Sequence, residues 1–226
     1  MIARLILQTV VWLAGMGALL FGAAGTLDWP AAWWYLTEMG VLSVWVGLWL
    51  ARHDPALLAE RLAPFVQAQQ SRWDRFFMMG VALMWSAWLV LMGLDAMRFH
   101  GSAPLPVWLV SLGSLCIFLC IVMCRNVFAA NSYAAPVVKI QADRGHKVID
   151  SGPYAYVRHP MYGAALLLFV GTPLLLGSWW GLACVPVLVA GLAWRAVREE
   201  RVLAAQLDGY TGYMARVRFR LVPFIW

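Results

Sequence analysis

Met161–Val197 reads MYGAALLLFVGTPLLLGSWWGLACVPVLVAGLAWRAV, and this stretch decides the fold. It carries no charge before Arg195, and its only interruption between two apolar runs is Gly177–Ser178. So short a link leaves little room for a loop, so Met161–Leu176 and Trp179–Val197 are expected to fold back as a helical hairpin. The first arm is short: roughly 16 residues at about 1.5 Å each give about 24 Å, less than the hydrocarbon thickness, so neighbouring segments should shelter it. Pro173 and Pro186 are expected to kink the arms and free carbonyls that neighbours must satisfy.

Working outward, four more apolar runs precede the hairpin: Leu5–Thr26, Ala31–Ala51, Arg75–Met97 and Leu105–Arg125. The chain of 226 residues is 63% hydrophobic and 12% charged, with 14 Trp, and its mean hydropathy is +0.73. A soluble domain of this size has no core large enough for that apolar surface, so lipid must cover the rest. The fold class is therefore an all-α polytopic membrane helix bundle of six apolar segments, with the lipid bilayer as its main partner. No internal repeat or linker divides it, so one domain spanning 1–226 is expected. Met1–Phe21 lacks the pattern of a cleavable signal and reads as the first span.

Charge orients the bundle. Of the Lys and Arg residues, Arg98 alone falls on one side of the six runs, while the others share the opposite side. The positive-inside rule then places both termini in the cytoplasm, in keeping with an even number of spans, and the cell inner membrane is the expected location. The net charge of +6 sits between apolar runs, where it favours an anionic leaflet, so no nucleic acid partner is expected. No obligate protein partner is evident.

Cys116, Cys120 and Cys124 are spaced four apart and stack on one helix face. That spacing is poor for disulfides, and small apolar residues packing against a neighbouring helix is the reading preferred to a metal stripe; no metal site is expected. The 51–74 connection alternates apolar clusters with charges and reads as an interfacial amphipathic helix broken at Pro64, either bordering a substrate entrance or lying on the membrane. The 126–158 connection is the most polar stretch, with a short hairpin expected around Asp143–Arg144–Gly145. Glu38, inside the second run, is either functional or bonded to a neighbouring helix. Asp95, Asn126 and Asn131 read as structural or interfacial.

A hairpin brings together the stretch entering the fifth run and the stretch leaving the sixth. In the first, Ser151-Gly152-Pro153-Tyr154 makes a turn, and Arg158-His159-Pro160 opens a helix whose unpaired N–H groups suit an anion. Tyr162 offers a phenol, and Gly163 a gap where a ligand or backbone can approach. In the second, Arg195 and Glu199 lie one turn apart, and Glu199–Glu200 either pair with the adjacent arginines or serve a site. Tyr210, Tyr213 and an arginine-rich tail of Arg216, Arg218 and Arg220 follow, the tail reading as an electrostatic anchor.

G-P-Y-A-Y-V-R-H-P-M-Y-G at Gly152–Gly163, then an apolar hairpin, E-E-R-V-L at Glu199–Leu203, G-Y-T-G-Y at Gly209–Tyr213 and R-L-V-P-F-I at Arg220–Ile225 resemble the isoprenylcysteine carboxyl methyltransferase family. The resemblance runs from about Lys139 to the end. It implies a membrane methyltransferase with a cytoplasm-facing S-adenosyl-L-methionine pocket, an apolar substrate admitted from the bilayer, and no need of the G-x-G-x-x-G fingerprint that the chain lacks. On this reading 1–130 is a four-helix membrane part and 131–226 the cofactor-binding catalytic part. The family's cofactor residues fall on Gln141, Gly152, Tyr154, His159, Pro160, Tyr162, Glu199 and Glu200.

Each part of that cofactor wants a different partner. Its carboxylate suits the helix start with Arg158 or His159, its diol or ammonium suits Glu199 or Glu200, and its adenine suits Tyr154 or Tyr162. A carboxylate acceptor needs no general base, which leaves Arg158 and Arg195 to orient an anionic substrate group as the catalytic residues. The acceptor stays open among a prenylated cysteine, a phospholipid amine and another lipophilic small molecule. Two other classes compete. An NADPH-dependent sterol or steroid reductase shares an R-H-P-x-Y stretch, but Met161 and the Glu199–Glu200 pair depart from it. A transporter or scaffold is disfavoured by few central charges and no inverted repeat.

Overall fold

The computed structural model describes every residue except 65, 68 and 69. Among the described residues there is no strand. The elements are α1 (Ile2–Ala24), α2 (Pro30–His53), α3 (Pro55–Arg61), α4 (Arg72–Gly93), α5 (Val107–Ala130), α6 (Pro160–Leu176), α7 (Trp179–Ala183), α8 (Val185–Gln206) and α9 (Tyr210–Arg216). A π-helical turn, Leu94–Arg98, extends α4. By length and composition five helical stretches suffice to cross a membrane, the last being α7 and α8 together, while α6 is a shorter apolar helix of 17 residues.

The helices run up and down, so the N-termini of α1, α4 and α6 lie at the same end as the C-termini of α2, α5 and α8. Side chains tie that end together: Arg4 Nη2 donates to Leu62 O at 2.6 Å, and Arg158 Nε to Glu200 at 2.6 Å. The main core, in the middle and towards the other end, packs Leu20, Tyr35, Leu89, Met92, Ile117, Leu176 and Leu188 from six helices. A second cluster at the charged end joins Leu5, Leu50, Leu57, Leu58, Val127 and Phe128.

One expectation is met, with a partner that the sequence does not name, and two need correction. The arms of the C-terminal hairpin do meet, but α6 packs most extensively against α5. Two glycines explain why: a Cβ on Gly113 would stand 2.7 Å from Gly171 O, and one on Gly171 would stand 2.6 Å from Gly113 O. Helices in lipid gain most by such close backbone approach, which sheltered the short α6 as its length required. Pro186 does not kink a continuous helix; it sits in the first turn of α8, where its missing N–H costs nothing, and it separates α8 from the single turn of α7. Around Asp143–Arg144–Gly145 there is a 3₁₀ turn, Ala142–Arg144, closed by Gly145 at φ 62°. No β-hairpin forms, because Arg144 is drawn back onto Gln141 and onto Ser132 Oγ, the latter at 2.8 Å.

In the 51–74 connection, α3 ends at Arg61, ahead of Pro64, and is not merely laid on a membrane: Leu57 and Leu58 are fully buried. The part of the amphipathic reading that falls on Phe65, Ala68 and Gln69 lies outside the described residues. Glu38 has a helix partner, since Ser114 Oγ on α5 donates to its carboxylate at 2.8 Å. Asp95 is also structural, accepting from Ser102 Oγ at 2.6 Å and Ser178 Oγ at 2.5 Å at the opposite end of the bundle.

Candidate active site

Where α6 begins and α8 leaves the bundle, a cavity opens to solvent, a concave site of the kind small molecules use. One wall is the irregular segment 131–149, and the rest comes from Tyr154, from Arg158, His159 and the first turn of α6, from Arg195, Glu199 and Leu203 of α8, from Leu207, and from Tyr210 and Tyr213 of α9. Glu199 is the one carboxylate among these lining residues, which also include Lys139, His146, Lys147, Arg158 and Arg195.

An irregular wall has no ladder to satisfy its backbone, so side chains from other elements do it. Arg61 Nη1 donates to Ala134 O at 3.0 Å, Arg195 Nη2 to Pro136 O at 2.7 Å, and the Val138 amide to Asp74 Oδ2 at 3.0 Å. Lys139 pairs with Glu60 at 2.6 Å. Tyr133 stacks on His146 with ring centroids 4.5 Å apart, and its hydroxyl donates to Gly145 O at 3.0 Å. The Gln141 amide points its N–H at His146 Nδ1, 3.3 Å away, so that nitrogen is an acceptor. Burial first, and then the neighbouring Arg144 charge, hold His146 below the ordinary histidine range, while Glu199 opposes them.

The tail closes the other side. Arg158 N–H donates to Phe219 O at 3.0 Å and His159 N–H to Arg220 O at 2.8 Å. These amides at the helix start, expected to receive an anion, are therefore spent on the tail. Gly163 permits this: a Cβ there would lie 2.6 Å from Leu221 O, so the close approach it allows is made by the chain itself. Glu200 binds the same parts, with Oε1 2.6 Å from Arg158 Nε and 3.2 Å from His159 Nε2, and Oε2 2.9 Å from Arg220 Nε. Arg216 pairs with Asp150 at 2.9 Å. Two of the three tail arginines thus serve the fold, and Arg218 remains exposed.

Of the residues singled out in the sequence, Tyr154, Arg158, His159, Pro160, Tyr162, Arg195 and Glu199 line the one cavity. Gln141, Gly152 and Glu200 do not. Gln141 is 2% exposed and donates to Tyr133 O at 2.9 Å, bracing the wall. Gly152, at φ 58°, starts the 3₁₀ turn that delivers Tyr154, whose hydroxyl accepts from Asn131 Nδ2 at 2.8 Å. Desolvation holds the Tyr154, Tyr210 and Tyr213 phenols above the ordinary tyrosine range, so all three stay neutral donors. The Tyr162 hydroxyl donates to Glu199 Oε2 at 2.6 Å, and its ring lies parallel to His159 at 5.2 Å. Tyr133, His146 and Asp74 stand in no recognisable motif; an acidic residue in the first turn of α4 is the one local signal at Asp74. Among the described residues no group of three or more His, Cys, Asp or Glu is placed to hold a metal.

This geometry offers one carboxylate, several cations and flanking aromatic rings in a cavity at the rim of an apolar bundle. The model of the phospholipid methyltransferase family matches residues 108–208, from the first turn of α5 to just past α8. A solved structure, that of the eukaryotic intramembrane Ras methyltransferase isoprenylcysteine carboxyl methyltransferase without a monobody, superposes with a TM-score of 0.52. The alignment covers 96% of this chain and 85% of that one at 19% sequence identity. The chain shares the fold of that intramembrane methyltransferase. No curated protein sequence matches the chain. The family match holds the cavity wall, α6 and the Glu199–Glu200 pair, while α1 to α4 lie before it. The resemblance read from the short motifs after Lys139 is upheld, and the superposition extends the methyltransferase fold over the upstream helices that those motifs did not reach.

Proposed function

We propose that this membrane methyltransferase carries a methyl group from S-adenosyl-L-methionine to a lipophilic acceptor, from a cavity facing the cytoplasm. The observation that carries the reading is the Tyr162–Glu199 bond of 2.6 Å inside a cavity where Glu199 is the one carboxylate among basic, aromatic and aliphatic lining residues. Glu199 suits the cofactor's ammonium or ribose diol, and His146 and Lys147 suit its carboxylate. The neutral faces of Tyr154 and Tyr162 suit its adenine. Bound there, the cofactor would supply a methyl group on a sulfonium, whose S–CH₃ bonding electrons would be left on sulfur when an acceptor's lone pair takes the methyl group.

A carboxylate acceptor gives up no proton in that transfer, and no lining residue is then needed as a base. Arg195, whose buried Nε has no hydrogen-bond partner, suits an acceptor oxygen, with Arg158 bordering the same space from its anchorage on Glu200. A prenylcysteine-like carboxylate is the acceptor this favours. Two further assignments go with it: a place in the cell inner membrane with both termini cytoplasmic, supported by the gathering of Lys and Arg at the cavity end, and action without nucleic acid or an obligate protein partner.

Calorimetry on the detergent-purified chain tests the reading, with S-adenosylhomocysteine and NADPH titrated in parallel into wild type, His159→Ala and Glu199→Gln. Saturable S-adenosylhomocysteine binding, weakened at least about tenfold in both variants, is expected. Binding of NADPH alone would replace this reading with a reductase. Methyl transfer is then measured on farnesylated N-acetylcysteine and on phosphatidylethanolamine; turnover of only the second would move the acceptor from carboxylate to amine.

A further inference from the structure

Asp74 opens the first turn of α4, and its side chain is 0% exposed. Its two oxygens hold different things. Oδ1 lies 3.2 Å from Arg195 Nη2 on α8. Oδ2 accepts from the Val138 amide at 3.0 Å and from Gln70 Nε2 at 2.8 Å. Arg195 and Val138 both line the cavity, and Asp74 does not.

A guanidinium nine-tenths withdrawn from water requires a counter-charge, and a long side chain requires fixed points before it can present a donor in one direction. Nη2 donates to the Pro136 carbonyl at 2.7 Å and pairs by charge with Asp74 Oδ1. That leaves the buried Nε without a partner. The guanidinium carbon stands 5.7 Å from the centroid of Tyr162, the ring that carries the bond to Glu199. One carboxylate therefore sets both an arginine of the cavity and the backbone of the wall facing it.

We propose that Asp74 is a positioning residue of this site: it fixes Arg195 to receive a ligand oxygen and, through the Val138 amide, couples the cavity wall to that arginine. What Arg195 receives rests on the methyltransferase reading; the hold on the wall does not. Placed on α4, Asp74 makes the upstream helices a working part of a site whose lining residues all come from the last third and the segment before it.

The test uses the full chain in detergent, comparing wild type, Asp74→Asn, Asp74→Glu, Arg195→Gln and the double variant Asp74→Asn/Arg195→Gln. Methylation of farnesylated N-acetylcysteine is followed at saturating S-adenosyl-L-methionine, and amide exchange is followed at Val138. Asp74→Asn is expected to lower kcat/KM by about thirtyfold or more, with Asp74→Glu recovering part of the loss. The double variant should be no worse than Arg195→Gln within about threefold, since a residue acting through Arg195 has nothing left to act on. Val138 should exchange faster in Asp74→Asn. Additive losses with unchanged Val138 exchange, or an Asp74→Asn variant like wild type in both measurements, would overturn the proposal. Exchange is read without ligand, so it decides the hold of Asp74 on the wall even if wild type binds no S-adenosylhomocysteine. That last result would count against the methyltransferase reading instead.

Discussion

Arg158 and Glu200, 42 residues apart in sequence, form an ion pair of 2.6 Å whose side chains are only 5% and 4% exposed. The pair is the knot of the charged end. Arg158 Nη1 reaches on to the carbonyls of Val217 at 2.7 Å and Arg218 at 3.0 Å, while the other Glu200 oxygen holds Arg220. A buried pair adds little over an apolar replacement, but removing one partner strands the other charge. Here three basic groups converge on a single carboxylate, so its loss strands more than one.

Glu200→Gln is therefore expected to destabilise the chain by about 3–5 kcal/mol, the usual cost of breaking a buried pair. The damage should be local at first. Limited proteolysis of the variant should cut the tail after Tyr213 sooner than in wild type, before the bundle itself unfolds. Equal cleavage rates would mean that the backbone bonds from Phe219 and Arg220 to the start of α6 hold the tail without Glu200.

Tyr162→Phe keeps the ring against His159 and removes only the hydroxyl that donates to Glu199. A hydrogen bond to a charged group contributes about 1.5–3 kcal/mol, so S-adenosylhomocysteine affinity should fall roughly tenfold to a hundredfold if that bond orients Glu199 for the ligand. The thermal midpoint should fall by about 3–10 °C for the lost bond, and by no more, because the ring still packs with Ala196 and Leu221. Unchanged affinity would remove Glu199 from the cofactor's contacts.

How much of this was legible in the sequence depends on how far away each partner lies. The apolar runs, the Gly177 turn and the gathering of charges at one end are local patterns, and they gave the bundle its course. The partner of α6 was not local: Gly113 and Gly171 signal close packing only when their helices are already side by side. The site shows the same division. Tyr162 and Glu199 stand in recognisable motifs, whereas Asp74 gains its meaning from Val138 and Arg195, 64 and 121 positions on. Glu200 read as a cofactor ligand because its three basic partners come from two separate segments of the chain.

His146 gives the site a pH dependence with a definite sign. Its folded form is held neutral, so the stability it contributes is fully present above the unfolded value of about 6.5 and is lost as pH falls from there through the lower folded value. Protonation also puts a proton on Nδ1, the atom that accepts from the Gln141 amide, and so loosens the wall. The thermal midpoint of wild type should drop as pH falls below about 6.5, and His146→Phe, which keeps a ring on Tyr133, should show a shallower drop. Parallel curves would assign the acid sensitivity to other groups.

The α5–α6 crossing yields the sharpest contrast between two formally identical changes. A Cβ on Gly113 would stand 2.5 Å from Leu175 N and 2.7 Å from Gly171 O, both backbone atoms with no freedom to swing aside. Gly113→Ala must push the helices apart, at a cost of about 1–3 kcal/mol for an overpacked contact. Gly15 on α1 has nothing within 4 Å of its added Cβ. There the same substitution should be neutral or stabilising by up to about 1 kcal/mol through helix propensity. Because α6 carries Tyr162 and the start of the cavity, Gly113→Ala should also weaken S-adenosylhomocysteine binding from a position at the far side of the bundle, and Gly15→Ala should not. Thermal unfolding and calorimetry on the two variants check both halves, and equal behaviour would mean that the crossing is looser than the glycines require.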